Sequence, residues 1–141
     1  MKVVKNVCYG GFSISNKALL LYFKKKFNCD KPYCYVYNHD LTFKEIAVGE
    51  AQNINYEGDL YLSLKPLSYH DIWEEAYSSR SFSDGKEERT DPILIEVIEE
   101  LKEAANGRFS KLKIVEIPDD VEWDIDNYDG METIREISRA W

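Results

Sequence analysis

The last third of the chain constrains its fold more than any other stretch. Lys111-Leu112-Lys113-Ile114-Val115-Glu116-Ile117 has the character of a strand, and Pro118 stops it. Val121-Glu122-Trp123-Asp124-Ile125-Asp126 alternates apolar and acidic residues, as a half-buried strand does. Tyr128-Asp129-Gly130-Met131 is a hairpin turn signal. A short returning strand is therefore expected from Met131, running into irregular structure toward Trp141. Ile134, Ile137 and Trp141 also fit a helix, so both readings stay open. The block contains no nucleophile and no metal cluster, which favours a binding protein over an enzyme.

A chain of 141 residues suits one domain and supports a core without disulfides or metal. Aromatic residues make up 13% of it, with ten tyrosines. Tyrosine buries a ring while keeping a polar tip, so this excess fits stacking pockets and interfaces, or a core built on tyrosine. The net charge of −8 is unevenly placed. Residues 1–70 carry nine Lys/Arg and six Asp/Glu, whereas residues 71–141 carry nine and twenty. The acidic half disfavours a nucleic acid polymer as partner. A small phosphorylated ligand needs only a few arginines and backbone N–H groups. No secretory leader follows Met1-Lys2, and no apolar run approaches membrane-spanning length. A cytosolic setting with reduced thiols is expected. Cys29, Cys34, His39 and His70 match no zinc-finger spacing, so idle or buried cysteines are expected and no metal site.

Along the chain, Val3 to Cys8 reads as a strand, followed by Tyr9-Gly10-Gly11-Phe12-Ser13. Paired glycines there mark a tight turn, a bulge or a close backbone approach. Ser13 or Ser15 caps a helix of about 12 residues that ends in Lys24-Lys25-Lys26, where cations suit the helix dipole. Tyr33 to Tyr37, Leu41 to Val48 and Leu60 to Leu64 read as strands, and His70 to Ala76 as one or two helical turns. Ser78 to Arg89 is polar and charged, with Phe82 looking exposed; it reads as a mobile loop, either a lid or a connector. Asp91-Pro92 opens the clearest helix, of about 14 residues, and Asn106-Gly107 closes it. The expected fold is a single α+β domain over 1–141, a small antiparallel sheet packed against two main helices.

Two arginines stand out as candidate ligand contacts. Arg89 precedes a helix N-terminus, where N–H groups bind anions and a guanidinium forks onto phosphate. The alternative is that Asp91 caps those N–H groups while Arg89 pairs with an acid. Arg108 lies past the other end of the same helix, about 20 Å away, so the two could meet on one small ligand only across a subunit interface. Glu122, Asp124 and Asp126 share one strand face, either a metal site or a solvated surface. No catalytic set can be assembled from these residues, and no cofactor motif is present.

Three pieces together carry a resemblance: Tyr9-Gly10-Gly11-Phe12-Ser13; Arg89-Thr90-Asp91-Pro92 with Asn106-Gly107-Arg108; and Leu112 to Asp119 through Trp123 and Tyr128-Asp129-Gly130 to Arg139-Ala140-Trp141. This pattern resembles a family of short phage and prophage proteins of the Thoeris anti-defence sponge type. It covers about residues 1–23 and 89–141; Ser138 stands where the family pattern has histidine, and residues 29–88 match nothing in it, as a lineage insertion would. The resemblance implies a phage product in the host bacterial cytoplasm. It would bind the cyclic ADP-ribose isomer made by a host TIR-domain enzyme and hold it uncleaved. It would be a homo-oligomer with pockets at subunit contacts and no cofactor. The implied ligand-binding residues are Phe12, Ser13, Arg89, Asp91, Asn106, Arg108, Trp123 and Arg139.

Overall fold

The computed structural model describes residues 1–38, 40–51, 59–82 and 86–137. The architecture is α+β. Strand β1 (Lys2–Asn6) leads to helix α1 (Asn16–Phe27), strands β2 (Tyr33–Tyr37) and β3 (Phe43–Ile46), the short helix α2 (Val48–Ala51) and strand β4 (Leu60–Ser63). Helix α3 (Tyr69–Glu75), a 3-10 turn over Ser79–Phe82, helix α4 (Lys86–Arg89) and helix α5 (Pro92–Leu101) follow. A second 3-10 turn (Lys102–Ala105) precedes β5 (Leu112–Glu116), β6 (Trp123–Tyr128) and β7 (Met131–Glu136).

The helix starts follow local chemistry. Ser15 Oγ accepts from Ala18 N–H at 3.1 Å and fixes the first turn of α1. Asp91 Oδ1 accepts from Ile93 N–H at 2.9 Å, with Pro92 at the first helical position of α5. The end of α5 departs from expectation. The α-helix stops at Leu101, Lys102 takes φ 54°, and the remaining turn is 3-10. Tertiary bonds account for the early stop. Ser15 Oγ donates to Ala104 O at 2.6 Å and Ser15 N–H to Ala105 O at 2.9 Å, so this turn is pulled onto the start of α1.

Three small antiparallel sheets replace the single expected one: β1 with β5, β3-β2-β4, and the β6–β7 hairpin. Asp129 (φ 51°) and Gly130 (φ 90°) form the hairpin turn, both with the positive φ that a two-residue type I′ loop requires. The tail reading as strand holds from Met131 to Glu136; residues 138–141 lie outside the described residues. Leu41 to Val48 is a strand only at Phe43–Ile46, because Val48 already begins α2.

One core joins the two halves. Val4, Ile14, Leu19, Phe23, Leu94 and Val97 pack in the same cluster as Cys34, Ala51, Leu60, Leu62 and Phe82 of the middle segment. Phe82 is 2% exposed, not exposed as expected, and sets its ring edge-on to Tyr22 at 4.6 Å. The 78–89 segment thus contains a buried anchor and two helical turns. A second cluster covers the other face of β2, where Phe43 lies 5.3 Å from Tyr61 and 5.0 Å from Trp73. The tyrosines divide between core and surface: Tyr22, Tyr35 and Tyr61 are buried, while Tyr9, Tyr69 and Tyr128 face solvent.

Cys34 is fully buried, and burial pushes its thiol up to about 11. It therefore stays protonated at pH 8. Iodoacetamide at that pH is expected to spare Cys34 in the folded chain and to modify it after urea unfolding, as peptide mass spectrometry would show. Rapid native labelling of Cys34 would contradict this packing. Among the described residues, no helix is long and apolar enough to cross a membrane.

Candidate functional site

Three loops distant in sequence meet at one end of the molecule: Cys8 to Phe12, Gly107 to Ser110, and the β6–β7 turn. Asn6 at the end of β1 ties them together and is fully buried. Its Nδ2 donates to Cys8 O at 2.6 Å and Gly130 O at 2.7 Å. Its Oδ1 accepts from Lys111 N–H at 2.9 Å and Cys8 N–H at 3.3 Å. A buried amide that uses both its ends in this way holds loops that have no regular hydrogen-bond ladder between them.

The glycines allow the approach. A Cβ on Gly10 would stand 2.1 Å from Phe109 O, and one on Gly130 would stand 2.4 Å from Gly11 N. The remaining polar groups close the loops internally. Asn106 Oδ1 accepts from Leu112 N–H at 2.9 Å. The Ser13 carbonyl accepts from Ser110 Oγ at 2.7 Å and Gly107 N–H at 3.2 Å. On the outside, Tyr9, Phe109 and Tyr128 are 61%, 62% and 73% exposed. The Arg108 guanidinium lies 5.1 Å from the Phe109 ring centre. Exposed rings beside an exposed guanidinium can stack a planar base and fork onto a phosphate.

Arg89 and Phe12 are brought together, but inside. Arg89 is 3% exposed; its Nη1 and Nη2 donate to Glu132 Oε1 and Oε2 at 2.5 and 2.9 Å. Its guanidinium carbon sits 3.6 Å from the Phe12 ring centre. Glu132 Oε1 also accepts from Asn6 N–H at 2.8 Å, so the ion pair braces the amide that ties the loops. Of the two readings offered for Arg89, the observed one is pairing with an acid. The reason is Glu132, which shares the inner face of β7 with Ile134. A buried carboxylate needs a counter-charge, but the Glu132 face also carries the exposed Glu136, so nothing local in the sequence marked it.

The other candidates are dispersed. Asp91 accepts from the Tyr22 hydroxyl as well as capping α5, which leaves the helix N-terminus no free role for a phosphate. Burial, then the Asp91 hydrogen bond, raises the Tyr22 phenol well above its usual range. Trp123 is 8% exposed, with Lys86 Nζ 5.0 Å from its ring centre and bonded to its carbonyl. Glu122, Asp124 and Asp126 are exposed on the face opposite Trp123 and Ile125. Among the described residues, no group of three His, Cys, Asp or Glu could hold a metal ion. His70 is exposed and pairs with Glu74 at 3.4 Å, while His39 and Arg139 lie outside the described residues. The chain matches no known family model, no curated protein and no solved structure.

Proposed function

We propose that this chain is a binding protein for a small phosphorylated nucleotide, held at the three-loop end. In the setting the resemblance implies, it is a phage product that sequesters the cyclic ADP-ribose signal of a host TIR-domain enzyme without cleaving it. One observation carries the reading. Asn6 ties Cys8, Lys111 and Gly130, and the loops beside them carry the exposed Tyr9, Arg108, Phe109 and Tyr128. A rim this open encloses little by itself. A second copy would complete it, so the working form is a homo-oligomer.

Calorimetry with cyclic ADP-ribose isomers, and with ADP-ribose as control, tests the site. Arg108→Ala is expected to weaken binding by roughly 1.5–3 kcal/mol, the scale of a charged hydrogen bond, with an unchanged melting temperature because Arg108 is exposed. Heating the complex to about 90 °C, above ordinary domain melting, should return intact ligand. Light scattering should give at least a dimer at micromolar concentration. Failure of every isomer to bind would remove the reading, and depletion of excess ligand by trace protein would make the chain an enzyme.

A second reading rests on α3, where Trp73 and Tyr69 are 44% and 45% exposed above the aromatic face of β2. Such rings suit a protein partner, as in an inhibitor of a host enzyme. Trp73→Ala would then abolish inhibition, while Arg108→Ala would not.

A further inference from the structure

A cavity of about 350 Å³ lies between α1, α4 and the start of α5, away from the three-loop end. Its walls are the rings of Tyr22, Tyr77 and Phe82. Its polar groups are mainly acidic: Glu87, Glu88 and Asp91. Lys26 supplies the one ammonium among the described lining residues. Lys26 Nζ lies 5.5 Å from the ring centres of both Tyr22 and Tyr77, and it donates to the Tyr22 hydroxyl at 3.3 Å. The walls thus already hold a cation in the manner of an aromatic cage.

The charges do not balance. Among the described lining residues, three carboxylates stand against one ammonium, an excess of two negative charges. Asp91 is engaged by the Tyr22 hydroxyl. Glu87 and Glu88 have no ion-pair partner among the described residues. An anion is disfavoured here by all three carboxylates. A molecule with an aliphatic body and two cationic ends matches both the ring faces and the missing charge. We propose that this cavity is a binding site for a small aliphatic diamine or related polyamine, its methylenes against Tyr22, Tyr77 and Phe82 and its ammonium groups toward Glu87, Glu88 and Asp91.

The test uses the whole chain and 1,4-diaminobutane, followed through the tyrosine ring resonances by NMR. Butane-1,4-diol serves as the neutral control, and sodium chloride at matched ionic strength controls for screening. Saturable shifts with the diamine alone are expected. Glu87→Gln with Glu88→Gln should weaken binding about fivefold or more, the order of an ion pair. Lys26→Met removes the resident cation while keeping its stem, and should tighten binding severalfold. Lys26 and Glu87 are exposed and Glu88 is half-buried, so these variants should melt near the parent; Lys26→Gln replaces Lys26→Met if the latter does not. Shifts equal to those in salt or diol overturn the proposal. So does diamine binding that is indifferent to both the glutamate and the lysine substitutions.

Discussion

Arg89→Ala is expected to lower stability by about 3–5 kcal/mol, the scale for breaking a buried ion pair by removing one partner. A domain of this size is stable by only about 5–15 kcal/mol, so the variant would sit near the limit of folding. Its melting temperature should fall by roughly 10 °C. The effect follows from what remains: Glu132, 3% exposed in its side chain, would keep a carboxylate with no counter-charge. Glu132→Ala should do comparable damage by stranding the guanidinium. Arg89→Met combined with Glu132→Leu should recover much of the loss, because an apolar pair strands no charge. Urea unfolding of the four proteins would check this. Melting of Arg89→Ala within about 2 °C of the parent, as for a surface change, would mean that the pair is not buried in solution. Substituting Arg89, a candidate ligand contact in the sequence, thus becomes a test of folding.

Asn6→Ala is expected to cost about 3 kcal/mol, since it leaves several buried backbone groups without partners at once. Cys8 O, Gly130 O and Lys111 N–H all depend on this one amide. Asn6→Asp keeps the shape but cannot donate to the two carbonyls, so it should not rescue the loss. Nucleotide affinity should fall beyond what stability explains, because Tyr9, Phe109 and Tyr128 would no longer be held relative to one another. Hydrogen exchange should show faster exchange at Cys8 and Lys111 with little change in α1. Wild-type protection at both amides would exclude Asn6 as the tie.

Elements written in local chemistry were legible in the sequence. Tyr33–Tyr37 matches its strand to the residue, and Ser15 and Asp91 cap their helices as their positions suggest. The Asp129-Gly130 turn was readable because few other dipeptides tolerate two positive φ angles in succession. Partners far apart in sequence were not legible. Arg89 meets Glu132 across 43 positions, and Asn6 meets Glu132 across 126. Nothing local at Asn6 marks it as a buried tie. Phe82 sits in a polar stretch, and tertiary packing, its contact with Tyr22 included, makes it core. The division into three sheets likewise depends on which strands find each other, a property of tertiary packing that strand propensity does not carry.

Strand β3 lies at the edge of its sheet, with Lys44 and Glu45 exposed at its centre. If two copies continued the sheet through this edge, a twofold axis perpendicular to it would relate them. Such an axis keeps each face of the sheet on its own side, so some residue must stand opposite its own copy. In the two central registers that residue is Lys44 or Glu45. Either choice sets like charges directly across a strand pair, which is unfavourable. Registers centred on Phe43 or Ile46 relieve this only by giving up part of a four-residue strand. The order of two charged residues therefore guards this edge against its own copy, and any symmetric self-association would have to use other surfaces.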